Sequence, residues 1–341
     1  MLGSSSEIYI EGERIDFTSG QLTKEGVNTA SKLTFTIPGD DITYRKYWGK
    51  EVTFFLDKSD ACPMFRGFID NADINENYNI SFRAIDVLGY LTGLNRAKVV
   101  CNDKTNVDGL SVGPALKKMI EIANLTKVGT NYLSDTNPIK KMGKIRGDVY
   151  ILDSIVSKLG TLYNTDNVIL PRQNILKVID DGKKGQLSFD LLKDVNTAPS
   201  NYEFTERNMI NFEVRNRKIP TIINVAGNNS AATFKHEGGS IAYGENTLNI
   251  NNPNLKSKAE CLDFAQVVYN ANLDAKYEYS LSTYEGAYLD ENDIVNIRDG
   301  TTDIEGNFRI IGKTIGFGAN TYSVELTINK QPPLLASFLN V

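Results

Sequence analysis

Histidine is the commonest general base and the commonest protein metal ligand. This sequence has one, His236, in the stretch Phe234-Lys235-His236-Glu237-Gly238-Gly239. Any serine–histidine–aspartate relay would have to be built around it, and a histidine beside a flexible glycine pair reads as a surface residue. Metal chemistry has little to work with. Cys62, Cys101 and Cys261 are far apart and odd in number, so they give neither a disulfide framework nor a cysteine-rich zinc site. They read as buried free thiols of a chain assembled in a reducing compartment. The densest acidic stretch, Asp299-Gly300-Thr301-Thr302-Asp303-Ile304-Glu305-Gly306, lacks the ligand spacing of a calcium loop and reads as a hairpin turn. No G-x-G-x-x-G or G-x-x-x-x-G-K-[ST] phosphate loop occurs. A glycosidase needs only two carboxylates, and 42 acidic residues supply candidates without any spacing that selects a pair. We therefore expect no catalytic, cofactor-binding or metal-binding residues and no enzyme activity.

Composition points the same way. The 341 residues carry 37 Lys and Arg against 42 Asp and Glu, a net charge of −5, opposite to a nucleic-acid or anionic-membrane binder. One Trp (Trp48) against 16 Tyr and 15 Phe leans against a carbohydrate platform. The opening MLGSSSEIYIEGE lacks the basic and apolar regions of a secretion signal, and no run reaches the roughly 18 apolar residues of a membrane span. The length suggests two or three domains. Charge divides the chain: residues 1–100 are net −3, residues 101–200 net +3, and residues 201–341 net −5. That pattern fits an insert between two related parts.

The elements follow that division. In 31–37, Leu33, Phe35 and Ile37 alternate with Lys32, Thr34 and Thr36, the period of a half-buried strand. Residues 51–56, 64–69 and 78–84 read as further strands between turn-rich segments, as in an antiparallel barrel or sandwich. The middle third turns helical. Ser111 can cap a helix carrying Leu116, Met119, Ile120 and Ala123, and a second helix over about 149–159 carries Ile151, Ile155 and Leu159 before Gly160. Between them Lys140, Lys141, Lys144 and Arg146 form a basic cluster, a solvated loop or a contact for an acidic partner. Short strands are expected at 162–163 and 168–170. The last third returns to strands at 211–215, 221–225, 293–297, 307–311 and 322–328. One helix interrupts them behind the capping box Ser257-x-x-Glu260, with Cys261, Leu262, Phe264, Ala265, Val268 and Tyr269 as its apolar face.

The outer thirds echo each other. GKEVTFFLD, PMFRGFI and NYNISFRA correspond to ENDIVNIRD, GNFRIIG and NTYSVELTI. Val52 to Phe65 and Val295 to Phe308 are both 13 apart, and Phe65-Arg66 and Phe308-Arg309 recur at the same place in the second strand. A duplicated unit fixes architecture. The fold class expected is α+β, mainly β: two antiparallel β-barrel domains with a helix-containing insert between them. Three such chains would place six similar domains in a ring.

The strings TASKLTFTIP, YWGKEVTFFLD and PMFRGFIDNADINENYNISFRAIDVLGYLTG resemble the first domain of phage tail baseplate hub proteins, of the late control D and contractile-tail hub family. NPNLKSKAECLDFAQVVYNANL, GAYLDENDIVNI and GNFRIIGKTIGFGANTYSVELTI are similar to the second hub barrel. The resemblance implies a first tail-tube-like barrel at 1–95, an α/β insert domain at 96–200, and at 201–341 a second tube-like barrel with one helix and an apolar C-terminal tail. It implies a homotrimeric, pseudo-hexameric ring. That ring would join the tail tube hexamer to the central spike, meet baseplate wedge or surrounding tail proteins, and pass the tape measure protein and then DNA through its lumen. No membrane is involved, and the expected location is the virion tail tip after assembly in the host cytoplasm. The alternatives are a distal tail or tube-initiator ring protein, and a carbohydrate-binding adhesin or glycoside hydrolase. In the tail, Leu334, Leu335, Phe338 and Leu339 either pack on their own barrel or contact a neighbouring subunit or the spike.

Overall fold

A computed structural model describes residues 5–330 apart from 27, 40–45, 58–61, 75–78, 93–97, 102–105, 134–141, 144, 146, 166–167, 217–218, 239–243, 253–254 and 275–276. The fold is mainly β and mostly antiparallel. The chain divides into two compact units: Met1–Leu192 with Ser282–Glu291 and Gly312–Leu326, and Lys193–Leu281 with Asn292–Ile311 and Thr327–Val341.

The first unit opens with β1 (Ser6–Ile10), β2 (Glu13–Ile15), β3 (Ser19–Lys24), β4 (Lys32–Ile37), β5 (Glu51–Leu56), β6 (Phe65–Ile74) and β7 (Ile80–Ile85). These pair antiparallel in the order β3-β4-β7-β6-β5-β1-β2. The expected alternation holds: burial alternates residue by residue along β5 and β7. Phe35 and Phe82 stack inside at 5.2 Å. The short β1–β3, with few apolar positions each, give too little pattern to be read from sequence.

Beyond β7 come α1 (Gly89–Thr92), β8 (Lys98–Cys101), α2 (Val112–Ile122), β9 (Gly129–Tyr132), β10 (Gly147–Tyr150), α3 (Ile151–Leu159), β11 (Gly160–Thr165), β12 (Val168–Asp180) and β13 (Gly185–Leu191). Ser111 stands at the N-cap of α2 in extended backbone. Leu116, Met119, Ile120, Ile151, Ile155 and Leu159 are buried in one cluster with Leu176 and Leu187, as the helical spacing predicts. Gly160 begins β11 directly where α3 ends. The strand expected at 168–170 extends to Asp180, because β12 pairs first with β11 and then with β13.

The second unit adds β14 (Tyr202–Thr205), β15 (Asn211–Asn216), β16 (Ile222–Ala226), β17 (Ala231–Lys235), β18 (Thr247–Asn251), α4 (Lys258–Asp274), β19 (Tyr277–Thr283) and β20 (Ile294–Asp299). The last strands are β21 (Ile304–Phe317) and β22 (Tyr322–Asn329), and both carry residues of each unit. β16 pairs antiparallel with β17 and parallel with β18, and α4 packs on β16 and β17. The capping box forms as expected. The Glu260 N–H donates to Ser257 Oγ at 3.2 Å, and the Ser257 N–H donates back to Glu260 Oε2 at 3.2 Å. Cys261, Phe264, Ala265, Val268 and Tyr269 are buried, but Leu262, assigned to the same apolar face, is 41% exposed. It falls on the side of the helix away from β16 and β17.

Within the first unit, Lys313–Phe317 of β21 pair with Gly20–Lys24 of β3. Phe317 stacks on Phe54 at 4.1 Å, and a Cβ at Gly20 would meet the Phe317 ring at 2.3 Å, so only glycine admits the ring.

Candidate functional site

The chemistry-bearing residues do not converge on a reaction centre. His236 stacks on Tyr269 with ring centroids 4.7 Å apart. Cys101 and Cys261 are buried thiols, with Cys261 Sγ 3.4 Å from Ser230 Oγ, whereas Cys62 is exposed, contrary to expectation. It precedes β6. The Asp299 carboxylate accepts from the Thr301 and Thr302 amides and closes the β20–β21 hairpin, as its sequence suggests. Among the described residues, no group of three or more His, Cys, Asp or Glu is placed to hold a metal ion.

No serine is expected from the sequence to sit in a G-x-S-x-G elbow, but that expectation is wrong in its letters, because Gly109-Leu110-Ser111-Val112-Gly113 carries them. That elbow works because a strained strand-to-helix turn thrusts the serine out of the backbone. Ser111 instead has φ −69 and ψ 160, and a turn at 108–109 precedes it. The spacing here serves a helix start.

Polar side chains do converge beneath the segment Tyr284–Glu291 of the first unit. The Lys313 side chain is 2% exposed, and its ammonium donates to the Ala287 carbonyl at 2.9 Å and to the Leu289 carbonyl. Lys24 Nζ lies 2.7 Å from Asp290 Oδ1, and Lys313 Nζ lies 3.6 Å from the same atom. Burial works against the Asp290 charge, but the two ammoniums outweigh it and hold the carboxyl at about 2. The Asp290 side chain keeps 48% of its surface, so solvent screens part of that attraction. Burial pulls Lys313 down to about 8 and pushes Glu291 up to about 8. Nearby, buried Asp86 accepts from the Ser31, Leu88 and Gly89 amides at 2.8, 3.0 and 3.2 Å; burial raises its pKa despite them. Sequence reading missed this cluster because Lys24 and Asp290 are 266 residues apart. The one local sign is a lysine inside the apolar run Ile310-Ile311-Gly312-Lys313-Thr314-Ile315.

The two Phe-Arg dipeptides also occupy distinct environments. Arg66 binds Asp180 at 2.5 Å, Glu51 at 2.6 Å and the Gly182 carbonyl at 3.3 Å, which ties the β12–β13 turn to β5 and β6. Arg309 is 3% exposed; its Nη2 donates to the Lys193 carbonyl, while Nε and Nη1 meet no acceptor. Burial lowers its pKa to about 10. The expected contact residues Leu334, Leu335, Phe338 and Leu339, and the basic residues Lys140, Lys141, Lys144 and Arg146, lie outside the described residues. Among the described residues, no helix is long and apolar enough to cross a membrane.

No family model and no curated protein sequence matches the chain. Solved structures do match, over nearly its whole length. A tail protein from Neisseria meningitidis MC58 superposes with a TM-score of 0.66 at 12% identity, covering 99% of both chains. The 43 kDa tail protein of prophage MuSo2 from Shewanella oneidensis gives 0.65 at 10% identity, again over 99% of each. The E. coli c3393 protein gives 0.54 at 10% identity, covering 94% of this chain and 76% of that one. That protein is a component of the type VI secretion system and is structurally similar to the T4 bacteriophage tail proteins gp27 and gp5. The chain thus shares the fold of these tail proteins.

Proposed function

We propose that this chain is a structural hub protein of a phage tail baseplate, a homotrimeric pseudo-hexameric ring that joins the tail tube to a central spike. The observation that carries this reading is the likeness to two tail proteins, one of them from a prophage, over 99% of all chains concerned, because a shared module alone would align over part of the length. In this reading residues 1–95 and 201–341 supply the two tube-like barrels, and residues 96–200 form the insert. The lumen passes the tape measure protein and DNA. A net charge of −5 suits that task, since like charge keeps DNA from adhering to the wall. Baseplate wedge or neighbouring tail proteins surround the ring, which works in the virion without catalysis.

Native mass spectrometry with negative-stain imaging of the purified chain tests the reading. We expect a trimer forming a ring of tail-tube width. A hexamer would instead favour a distal tail or tube-initiator protein, and a monomer at assembly concentrations would overturn a ring altogether. The apolar residues Leu334, Leu335, Phe338 and Leu339 are proposed to contact a neighbouring subunit or the spike. Deleting 332–341 should lower trimer stability, and an unchanged trimer would refute that contact.

A further inference from the structure

The segment Tyr284–Glu291 turns at Gly286, whose φ of 76 favours glycine, and closes over the buried lysines already described. Its inward surface is made of oxygens: the Ala287 and Leu289 carbonyls and the Asp290 carboxylate. Lys313 and Lys24 answer them as tethered cations. Glu291 breaks the pattern. Its Oε1 is buried and meets no donor, although Lys24 and Lys313 act on the group electrostatically. A carboxylate oxygen withdrawn from water without a hydrogen bond disfavours the charged form, and a proton on the group relieves that cost.

We propose that Tyr284–Glu291 is a proton-linked strap, closed over Lys313 and Lys24 while Glu291 is protonated and loosened when that proton leaves. The charged groups facing the cluster are Lys24 on β3, Asp86 after β7, Lys177 on β12, Lys313 on β21, and Asp290 beside Glu291. Glu291 and two of these, Lys313 and Asp290, set the pH response. The closed strap holds the Glu291 proton more tightly than an open one, so this term favours closure below 4.5 and is lost as pH rises to about 8. Lys313 acts in the opposite sense. Closure binds its proton more weakly, which costs stability below about 8 and recovers as pH climbs towards 10.5. Asp290 supports closure fully above 3.8 and fails only as pH falls through about 2. The Glu291 contribution is lost between 4.5 and about 8 and the Lys313 recovery begins only near 8, so closure is weakest near pH 8. Tyr284 and Tyr288 ride on the strap, and the Tyr288 hydroxyl donates to the Leu56 carbonyl at 3.0 Å. Loosening frees that bond and redirects two exposed aromatic rings. The device does not depend on which assembly the chain joins.

Hydrogen exchange by mass spectrometry on the full chain tests it, with amides of β5 as internal control and rates corrected for intrinsic pH dependence. Strap protection should fall at least about tenfold between about pH 5 and about pH 8 while β5 stays constant. Glu291→Gln keeps the shape and removes the titration, so its profile should be flat. Lys313→Met should leave the strap unprotected at both pH values. A flat wild-type profile would overturn the proposal without any variant, as would parallel profiles for the wild type and Glu291→Gln.

Discussion

The hairpins β5–β6 and β20–β21 carry the same Phe-Arg dipeptide at the same spacing, and the fold uses them differently. Phe65 and Phe308 are both buried, at 4% and 0% exposure. The strand registers differ by two residues: Val52 faces Gly67, whereas Val295 faces Phe308. Arg66 therefore emerges opposite Thr53, within reach of Glu51 and Asp180, and becomes a clasp. Arg309 lies opposite Ile294 in a strand buried on both faces, and keeps one carbonyl partner. Hydrophobic spacing is shared by the two hairpins, whereas polar roles are set by what each strand meets across the sheet.

The largest effects should be common to both hairpins. Phe65→Ala and Phe308→Ala each remove a buried ring and should each cost about 4 kcal/mol of stability, read as a lower denaturant midpoint at constant slope. A cost at one position only would break the parallel. Next comes the residue after the arginine. A Cβ at Gly67 would lie 2.2 Å from the Ile85 carbonyl, a backbone atom that cannot yield, while the matching position holds the fully buried Ile310. Gly67→Ala should cost about 3 kcal/mol through overpacking, and Ile310→Ala about the same through a cavity. The two defects are opposite in kind, so adding small apolar molecules such as benzene should rescue only Ile310→Ala.

The contrast also marks how far the sequence can be read. The alternation over 31–37 and 51–56, the spacing of Leu116, Met119 and Ile120, and the Ser257–Glu260 box each act over a few residues, and all return in the structure. Other features depend on distant chain. The length of β12 depends on two successive partners. The 14-residue β21 carries Gly312–Phe317 into the first unit, where it meets β3 almost 300 positions earlier, and no local pattern announces that pairing. The strap cluster was hidden for the same reason. Its lysines and acids have ordinary local surroundings, apart from Lys313 within an apolar strand.

Smaller effects should separate the arginines. Arg66→Met breaks two short ion pairs and leaves Asp180, whose side chain is only 11% exposed, with the Gly182 amide but without its cation. We expect a loss of about 2 kcal/mol, below the full cost for a deeply buried pair because Glu51 remains 35% exposed. The denaturant midpoint, set against wild type, checks this loss.

Arg309→Met should move the other way. The buried guanidinium has a pKa near 10, well below its ordinary value, so above about pH 10 the unfolded chain binds the proton that the folded chain gives up. Stability from this group therefore rises only across that alkaline window, and at every lower pH the folded state carries the cost of an enclosed charge. Methionine fills similar volume without charge and forfeits one hydrogen bond to the Lys193 carbonyl. Replacing buried charge by apolar volume is commonly neutral or stabilising, so we expect a gain of up to about 1 kcal/mol in the isolated chain. A loss matching that of Arg66→Met would mean that Arg309 is satisfied by water or by a bound anion, and the two hairpins would then be alike in their polar roles as well.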